Sequence, residues 1–378
     1  MKTVIEASEA VALGVKLSRV KVCPMYPITP STHIPERISD YIFDGEMNAQ
    51  MIHVESEHSA ASALIGAILA GSRSFTATSS NGFELMYEIL PILSGMRLPA
   101  VMAVANRTVA APINIWNDHS DSMSARDQGW IQLYVESSQE CVDTIIQCYK
   151  IAEDKKIMLP TMMCLDGFSL SHVYENVDLP GQKKVDSFLP SFKMEDKLDV
   201  KNPKTFGPIG FPDTFMELKK QQQDSMLNAL EVIKKVNKDY AKEFGKSYGD
   251  GLIELFEMDD AEYAILALGT ICGTAKAKAR ELRSKGKKVG VIKLRSFRPF
   301  PVESLKKATK NLKGLAVLDR HISLGAKGPV FTEINSDISE TNVFGYIAGL
   351  GGRDVTLEHI ESVFKDLETG KQSREWLL

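Results

Sequence analysis

From Val20 onward the chain repeats one pattern: a short apolar run, a polar or proline-rich turn, then apolar residues three and four apart. Nearly continuous apolar runs at Val20–Met25, Met51–Val54, Ser74–Thr78, Pro99–Ala105 and Met158–Leu165 predict strands. The segments between them, about 6–17, 33–43, 57–70, 82–95, 122–133 and 138–153, carry helical spacing. Strands that are apolar on both faces and alternate with helices make a parallel sheet covered on two sides. Ser137-Ser138-Gln139-Glu140 matches a capping box at the start of the last of these helices.

Periodicity fades over 176–212, where proline, lysine and glycine rise, and this stretch reads as a linker or a surface-wrapping segment. A long polar helix follows at roughly Thr214–Phe244. Alternation then resumes, with strands at Tyr263–Leu268, Lys288–Leu294, Gly314–Leu318 and Asn342–Ile347 and helices near 274–285, 302–310 and 327–338. The expected fold class is α/β: one parallel-sheet domain over 1–175, a linker and long helix over 176–250, and a smaller α/β domain over 251–378.

Composition changes this picture little. The 378 residues are 44% hydrophobic and 25% charged, ordinary for a globular protein with ample core. A net charge of −4 argues against nucleic acid, which needs a basic face. MKTVIEASEAVALGVKL has no long apolar stretch, so no signal peptide is expected. The chain has no apolar run of roughly 18 residues, so no membrane span is expected and the cytoplasm is the expected compartment. Cys23, Cys141, Cys148, Cys164 and Cys272 form no C-x-x-C pair, which predicts reduced thiols and no self-contained iron–sulfur site.

Ligands of open parallel sheets bind outside the carboxyl ends of the strands. The polar groups there are YPITPST, ESEH, SSNG and NRT. Proline fixes φ and holds the residue before it extended, so Cys23, Tyr26 and Thr29 are stiffened. Thr29 then presents a fixed hydroxyl, and Ser31 or Thr32 can cap the next helix and favour a small anion. A rigid turn with a helix cap is the plainer reading. Glu57 opens SEHSAASALIGAILAG, whose small and apolar residues predict deep burial; a carboxylate losing solvation there suits acid–base work. It also suits a helix dipole, and Glu55 is the competing carboxylate. Arg107 follows PAVMAVAN and can grip a carboxylate with two parallel hydrogen bonds, or simply form a surface ion pair. Ser80 and Asn81 of SSNG are read as cofactor-binding. Asn117, Asp118, His119, Asp121, Arg126 and Asp127 crowd between Trp116 and Trp130 and predict a buried polar network.

Other motifs are decoys. Gly249-Asp250-Gly251 begins like the thiamin diphosphate metal motif, but no asparagine follows at the required spacing. His53 and His58 do not make H-E-x-x-H, so no metal site is expected in this chain.

YPITPS, SEHSAASALIGAILAGSRSFTATSS, SGMRLPAVMAVANR, APINIWNDHSDSMSARDQGWIQLY, LGTICGTAKAKARELRSKGKKVGVIKLRSFRPFP and GYIAGLGGRDVT together resemble the alpha chain of the 2-oxoacid:ferredoxin oxidoreductase family, in particular the four-subunit pyruvate:ferredoxin enzymes. The likeness spans nearly the whole chain. It implies a pyrimidine-binding-type domain of thiamin diphosphate enzymes followed by a transketolase-C-terminal-like domain. It implies oxidative decarboxylation of a 2-oxo acid, with coenzyme A as acyl acceptor and ferredoxin as electron acceptor. The diphosphate, Mg2+ and [4Fe-4S] clusters are then expected on partner subunits, named beta, gamma and delta in the family, and this chain is half of an active site. By the same resemblance Thr29 contacts substrate, Glu57 hydrogen-bonds the aminopyrimidine, and Arg107 holds the substrate carboxylate. Oxalate-using relatives carry arginine at the Thr29 position and an aspartate shortly after that of Arg107; here stand Thr29 and Ala110-Ala111. Branched-chain enzymes often follow NIWND with tryptophan; here His119 follows, which points to pyruvate over 2-oxoisovalerate. A transketolase-like or lipoyl-linked dehydrogenase subunit and a non-catalytic scaffold subunit are the remaining alternatives.

Overall fold

The computed structural model describes residues 2–338 and 341–378. In chain order the first part holds β1 (Lys2–Glu6), α1 (Ala7–Leu17), β2 (Val22–Met25), α2 (His33–Phe43), β3 (Gln50–His53), α3 (Glu57–Leu69), β4 (Phe75–Thr78), α4 (Ser80–Leu85), α5 (Leu90–Gly95) and β5 (Val101–Asn106). There follow α6 (Ser120–Ser124), β6 (Ile131–Tyr134), α7 (Ser138–Ala152), β7 (Thr161–Asp166), β8 (Tyr174–Asp178), α8 (Gln182–Phe188) and α9 (Phe215–Phe244). The remainder holds β9 (Ile253–Phe256), β10 (Tyr263–Ala267), α10 (Ile271–Ser284), β11 (Val289–Leu294), β12 (Ser296–Arg298), α11 (Val302–Thr309), β13 (Gly314–Asp319), α12 (Pro329–Asp337), β14 (Asn342–Ala348), α13 (Leu357–Thr369) and β15 (Trp376–Leu377).

Two sheets organise these elements. The first runs β12-β6-β7-β5-β4, and a parallel bridge from Val22 to Ser74 extends it to the parallel pair β2-β3. All its strands are parallel except β12, which adds antiparallel to β6. The second runs β15-β14-β13-β10-β11-β9, with only β9 antiparallel. Every residue of β5 and β7 is buried, as strands covered on both faces require.

One face of the first sheet packs on α1, α2, α7 and α9. A methyl group on Gly14 would lie 2.9 Å from Ile145 Cβ, so glycine lets α1 and α7 approach closely. On α9, Met226, Ala229, Ile233, Val236 and Tyr240 recur at three- and four-residue spacing and supply its buried stripe. The opposite face packs on α3 to α5, and that core continues without a break into β10, β11, β13, α11 and α12. The outer face of the second sheet is covered by α10 and α13.

Several elements differ from expectation. The segment 122–133 is not one helix: α6 ends early, Gly129 takes φ +76°, and β6 pairs with β7. Gln132 disguises that strand; it is wholly buried, with Nε2 donating to the Ser122 carbonyl at 2.8 Å. The segment 82–95 splits into α4 and α5 because Pro91 lies in the first turn of the second and can neither donate to nor fit a continuous helix. Within 176–212, β8 pairs with β1 and α8 follows before the irregular stretch begins. The strand β12 falls in the expected second domain yet completes the first sheet.

Beside the shared apolar core, the joint between the sheets carries a buried ionic cluster. Glu140, Lys293 and Arg295 are all fully buried; Glu140 accepts from Lys293 Nζ at 2.6 Å and from Arg295 Nε at 3.2 Å. Ser137 caps α7 as expected, but Glu140 bonds the Glu136 N–H instead of closing the box on Ser137. The two cations outweigh burial and hold the Glu140 pKa below its ordinary value. Lys293 and Arg295 alternate in VIKLRSF and so share one strand face, a sequence signal that was open to reading.

Candidate active site

The strands β2, β3, β4 and β5 run parallel, so the four polar loops that follow them lie on one sheet edge. The YPITP loop rests on the ends of β5 and β7 through a glycine. A Cβ on Gly167 would stand 2.6 Å from Pro30 Cγ and 2.4 Å from the Asn106 carbonyl oxygen. Neither expected hydroxyl caps α2: Thr32 makes no cap bond, and Ser31 Oγ turns back to the Ile28 carbonyl at 2.7 Å. Thr29 is exposed, and its carbonyl accepts a bond from Arg107 Nη1 at 2.9 Å.

Arg107 is thereby brought to a residue 78 positions away. Its Nε donates to the Asn114 carbonyl at 3.1 Å. Among the described residues no carboxylate pairs with it, so the surface ion pair is not what is found. Two carbonyls orient the guanidinium and leave the rest of its five N–H donors available. Burial lowers its pKa, and the Asp121 charge opposes that effect.

Glu57 occupies the first position of α3, whose cap is Ser56, the Oγ of which accepts from Ser59 N at 3.2 Å. It is 6% exposed, and none of the described residues donates a hydrogen bond to its carboxyl group. The competitor Glu55 is exposed, bonded by Ser59 Oγ, and that bond lowers its pKa. Gly82 of α4 backs Glu57: a Cβ there would lie 2.3 Å from Oε1. Gly82→Ala therefore pushes the carboxyl aside while leaving the helix intact. We expect a loss of more than tenfold in any reaction that uses this carboxyl group, with little change in melting temperature; an unchanged rate would show that the carboxyl position is unimportant.

Ser80 is buried with φ +51°, and its Oγ bonds the Thr108 carbonyl. Asn81 is exposed, and its Oδ1 accepts from Ala110 N at 3.1 Å. Ser80, Asn81, Arg107 and Thr29 are thus linked through the loop that follows β5, and Glu57 adjoins this group through Gly82, the residue after Asn81. Beneath them lies a member of the expected buried network to which spacing assigned no role. Asp121, wholly buried, accepts from Asn106 Nδ2, Ser122 N, Ser80 N and Arg107 N at 2.7 to 3.0 Å.

NIWNDHSD forms the buried polar network its composition proposes at Asn117, Asp118, His119 and Asp121, while Asp127 farther along is exposed, and it also ties the two sheets together. Asn114 Nδ2 donates to the Gly351 carbonyl, Gly352 N to the Asn117 carbonyl, and His119 N to the Arg320 carbonyl. The segment therefore clamps GLGGRD and the end of β13. His119 is 2% exposed, and its Nε2 meets Asp166 Oδ1 at 2.8 Å instead of facing the Thr29 edge. Asp166 also accepts from Thr270 N and Oγ1 and pairs with Arg320 at 2.8 Å. An aspartate closing the apolar strand TMMCLD was the available signal for this hub.

Gly249-Asp250-Gly251 is a turn leading into β9. Asp250 Oδ1 accepts from Leu252 N and Ile253 N, and Oδ2 from Ser304 Oγ, so its carboxylate is taken. All five cysteines are separate buried thiols, and burial pushes Cys23 and Cys148 up to about 12. Among the described residues no helix is long and apolar enough to cross a membrane.

Residues 13–238 match the family model described as pyruvate flavodoxin/ferredoxin oxidoreductase, thiamine diphosphate-binding, and residues 261–360 match pyruvate:ferredoxin oxidoreductase core domain II. The chain is 50% identical to pyruvate synthase subunit PorA of Methanosarcina barkeri, over 96% of this chain and 92% of that one. It is 48% identical to the PorA subunit of Methanocaldococcus jannaschii, over 97% and 94%. A ketoisovalerate oxidoreductase subunit, VorA, of Pyrococcus horikoshii is 41% identical over 99% and 97%. In fold, the chain superposes with TM-score 0.77 and 18% identity on a 2-oxoglutarate:ferredoxin oxidoreductase from Magnetococcus marinus, covering 97% of this chain and 65% of that longer one. A thiamin diphosphate-type sheet edge, a second α/β unit locked to it and near full-length likeness at this level of identity lead to one conclusion: the chain is a member of the pyruvate:ferredoxin oxidoreductase family.

Proposed function

We propose that the chain is the alpha subunit of a pyruvate synthase, and that it contributes the pyrimidine-side half of a thiamin diphosphate site. In this reading the reaction is oxidative decarboxylation of pyruvate to acetyl-CoA and CO2, with electrons passed to ferredoxin. The observation that carries it is Arg107: a guanidinium fixed by two carbonyls, without a carboxylate partner among the described residues, on the same edge as the unbonded carboxyl of Glu57.

The residues present fit the cofactor. The Glu57 carboxyl has no donor among the described residues and is not sealed from solvent, so a bound ligand can donate to it, and an aminopyrimidine offers such a donor. Glu57 would hold that ring, with Ser80 and Asn81 beside it. When bound, thiamin diphosphate would supply a carbon nucleophile for the 2-oxo carbonyl. Glu57 would share a proton with the ring nitrogen. Arg107 grips the substrate carboxylate, and the prolines hold Thr29 rigid against the reacting carbonyl, in line with preorganised catalysis. The diphosphate, Mg2+ and [4Fe-4S] clusters belong, in this proposal, to the beta, gamma and delta partners, and coenzyme A is the cosubstrate. Division at 175 and 250 and a cytoplasmic location are parts of the same proposal.

The test is an anaerobic assay of the complex purified through a tag on this chain. CoA-dependent viologen reduction is compared with pyruvate, 2-oxobutyrate, 2-oxoisovalerate and 2-oxoglutarate. Pyruvate is expected to dominate; dominance of 2-oxoisovalerate would reassign the substrate, and no reduction with any of them would remove the catalytic reading. Arg107→Ala is expected to raise KM for pyruvate and lower kcat/KM by the equivalent of ~2–5 kcal/mol, the range for stripping one partner from a buried charge pair. A change below tenfold would remove direct carboxylate contact.

A further inference from the structure

We propose that Asp121 is a positioning residue for the 2-oxo acid site: its buried carboxylate fixes the main chain at Arg107 and Ser80 and so sets where the guanidinium reaches. The inference rests on the reading of Arg107 as the carboxylate-binding group.

Four elements converge on this side chain. Its Oδ1 accepts from Asn106 Nδ2 at 2.7 Å and from Ser122 N at 2.8 Å. Its Oδ2 accepts from Ser80 N at 2.9 Å and from Arg107 N at 3.0 Å. The donors belong to the end of β5, the loop after it, the start of α4, and α6 itself. Three of the four are main-chain N–H groups, which cannot reverse to accept. An ionised carboxylate meets all four donors with its lone pairs; an amide has lone pairs on one atom only. Asparagine at this position would set its NH2 group against at least one fixed N–H donor, that of Ser122 on one side or those of Ser80 and Arg107 on the other.

Both anchored main-chain positions need holding. Ser80 sits at φ +51°, a left-handed conformation that disfavours a residue with a Cβ. The loop after Arg107 is tied to the same base: Ser80 Oγ bonds the Thr108 carbonyl, Ser120 Oγ accepts from Val109 N at 2.9 Å, and Asn81 Oδ1 accepts from Ala110 N at 3.1 Å. Asp121 is thus the one carboxylate, among the described residues, that joins the cofactor side of the edge to its substrate side. Burial pushes its pKa up to about 6 although the hydrogen bonds to it act the other way, so the fold retains this carboxylate against a desolvation cost.

The experiment uses the assembled complex with Asp121→Asn, Arg107→Ala and the double variant. KM and kcat for pyruvate are measured beside the binding of oxamate, an unreactive carboxylate analogue, followed by intrinsic fluorescence. Asp121→Asn is expected to raise KM and weaken oxamate at least tenfold, and to change neither more than threefold when Arg107 is already alanine. A purely structural role would lower the melting temperature and the yield of complex while leaving KM and oxamate affinity unchanged, and that result would overturn the proposal. So would an undiminished effect in the Arg107→Ala background. If Asp121→Asn does not assemble, Asn106→Ala removes one of the four donors and decides: a rise in KM of threefold or more is expected, and an unchanged KM overturns the proposal. Should Arg107→Ala itself leave KM and oxamate binding unchanged, the substrate reading of Arg107 fails, whatever Asp121 does.

Discussion

Glu57→Gln lowers kcat of the assembled enzyme by about 10²–10⁴-fold, the range for loss of a positioned general acid–base group. Glutamine has the same shape, so packing against Gly82 and the cap of α3 by Ser56 are retained. What changes is the proton: a carboxyl group can share one with a ring nitrogen, and an amide can only donate or accept a hydrogen bond without transferring it. The loss therefore falls on kcat, with KM for pyruvate changed little, because Glu57 touches neither Arg107 nor the Thr29 loop. The measurement is steady-state viologen reduction at saturating pyruvate and CoA, beside a thiamin diphosphate titration of the same preparation. A loss smaller than tenfold with cofactor fully bound would remove Glu57 from the chemistry and favour the scaffold alternative.

The second large effect is on stability. Asp166→Ala is expected to lower the unfolding free energy by ~3–5 kcal/mol, the cost of removing one partner from a buried pair and leaving the other charge behind. Asp166 is 1% exposed and Arg320 7%, so water cannot replace what is lost. His119 and Thr270 lose their partner in the same step. A urea titration of both proteins at neutral pH reads the difference; a change below 1 kcal/mol would show that the hub is dispensable. The pH dependence has a definite sign. Burial works to raise the Asp166 pKa, but the Arg320 charge and the bonds from His119 and Thr270 outweigh it and hold the carboxyl well below the usual carboxylate range. A depressed folded-state pKa contributes stability that is present above the unfolded value near 3.9 and is lost as pH falls below it. Wild type therefore loses stability through this group below about pH 4, and Asp166→Ala shows that much less acid sensitivity.

Much of the architecture was legible because apolar strands and capped helices carry local signals. Val101–Asn106 reads as a buried strand from VMAVAN alone, and the stripe on α9 follows from spacing. The errors have local causes too. Gln132 interrupts an apolar run although it is buried, and Pro91 breaks a segment whose apolar spacing continues through it. For the site, the motifs marked the right loops but not the direction of each side chain. Arg107 could have been a surface cation; only its bond to the Thr29 carbonyl separates the readings. His119 carried the substrate argument in the sequence and stands in the structure as a ligand of Asp166, at the joint between the sheets.

By itself the sequence determined the α/β alternation, the four polar loops on one edge and the family likeness, because each depends on residues close together in the chain. The tertiary structure alone decided that β12 crosses to the first sheet, that Asp166 and Glu140 join the two units, and that Asp121 lies beneath Arg107 and Ser80. Those contacts span from 14 to more than 150 residues and are made by buried charges, whose partners are chosen by what folding brings within hydrogen-bond distance and not by spacing along the chain.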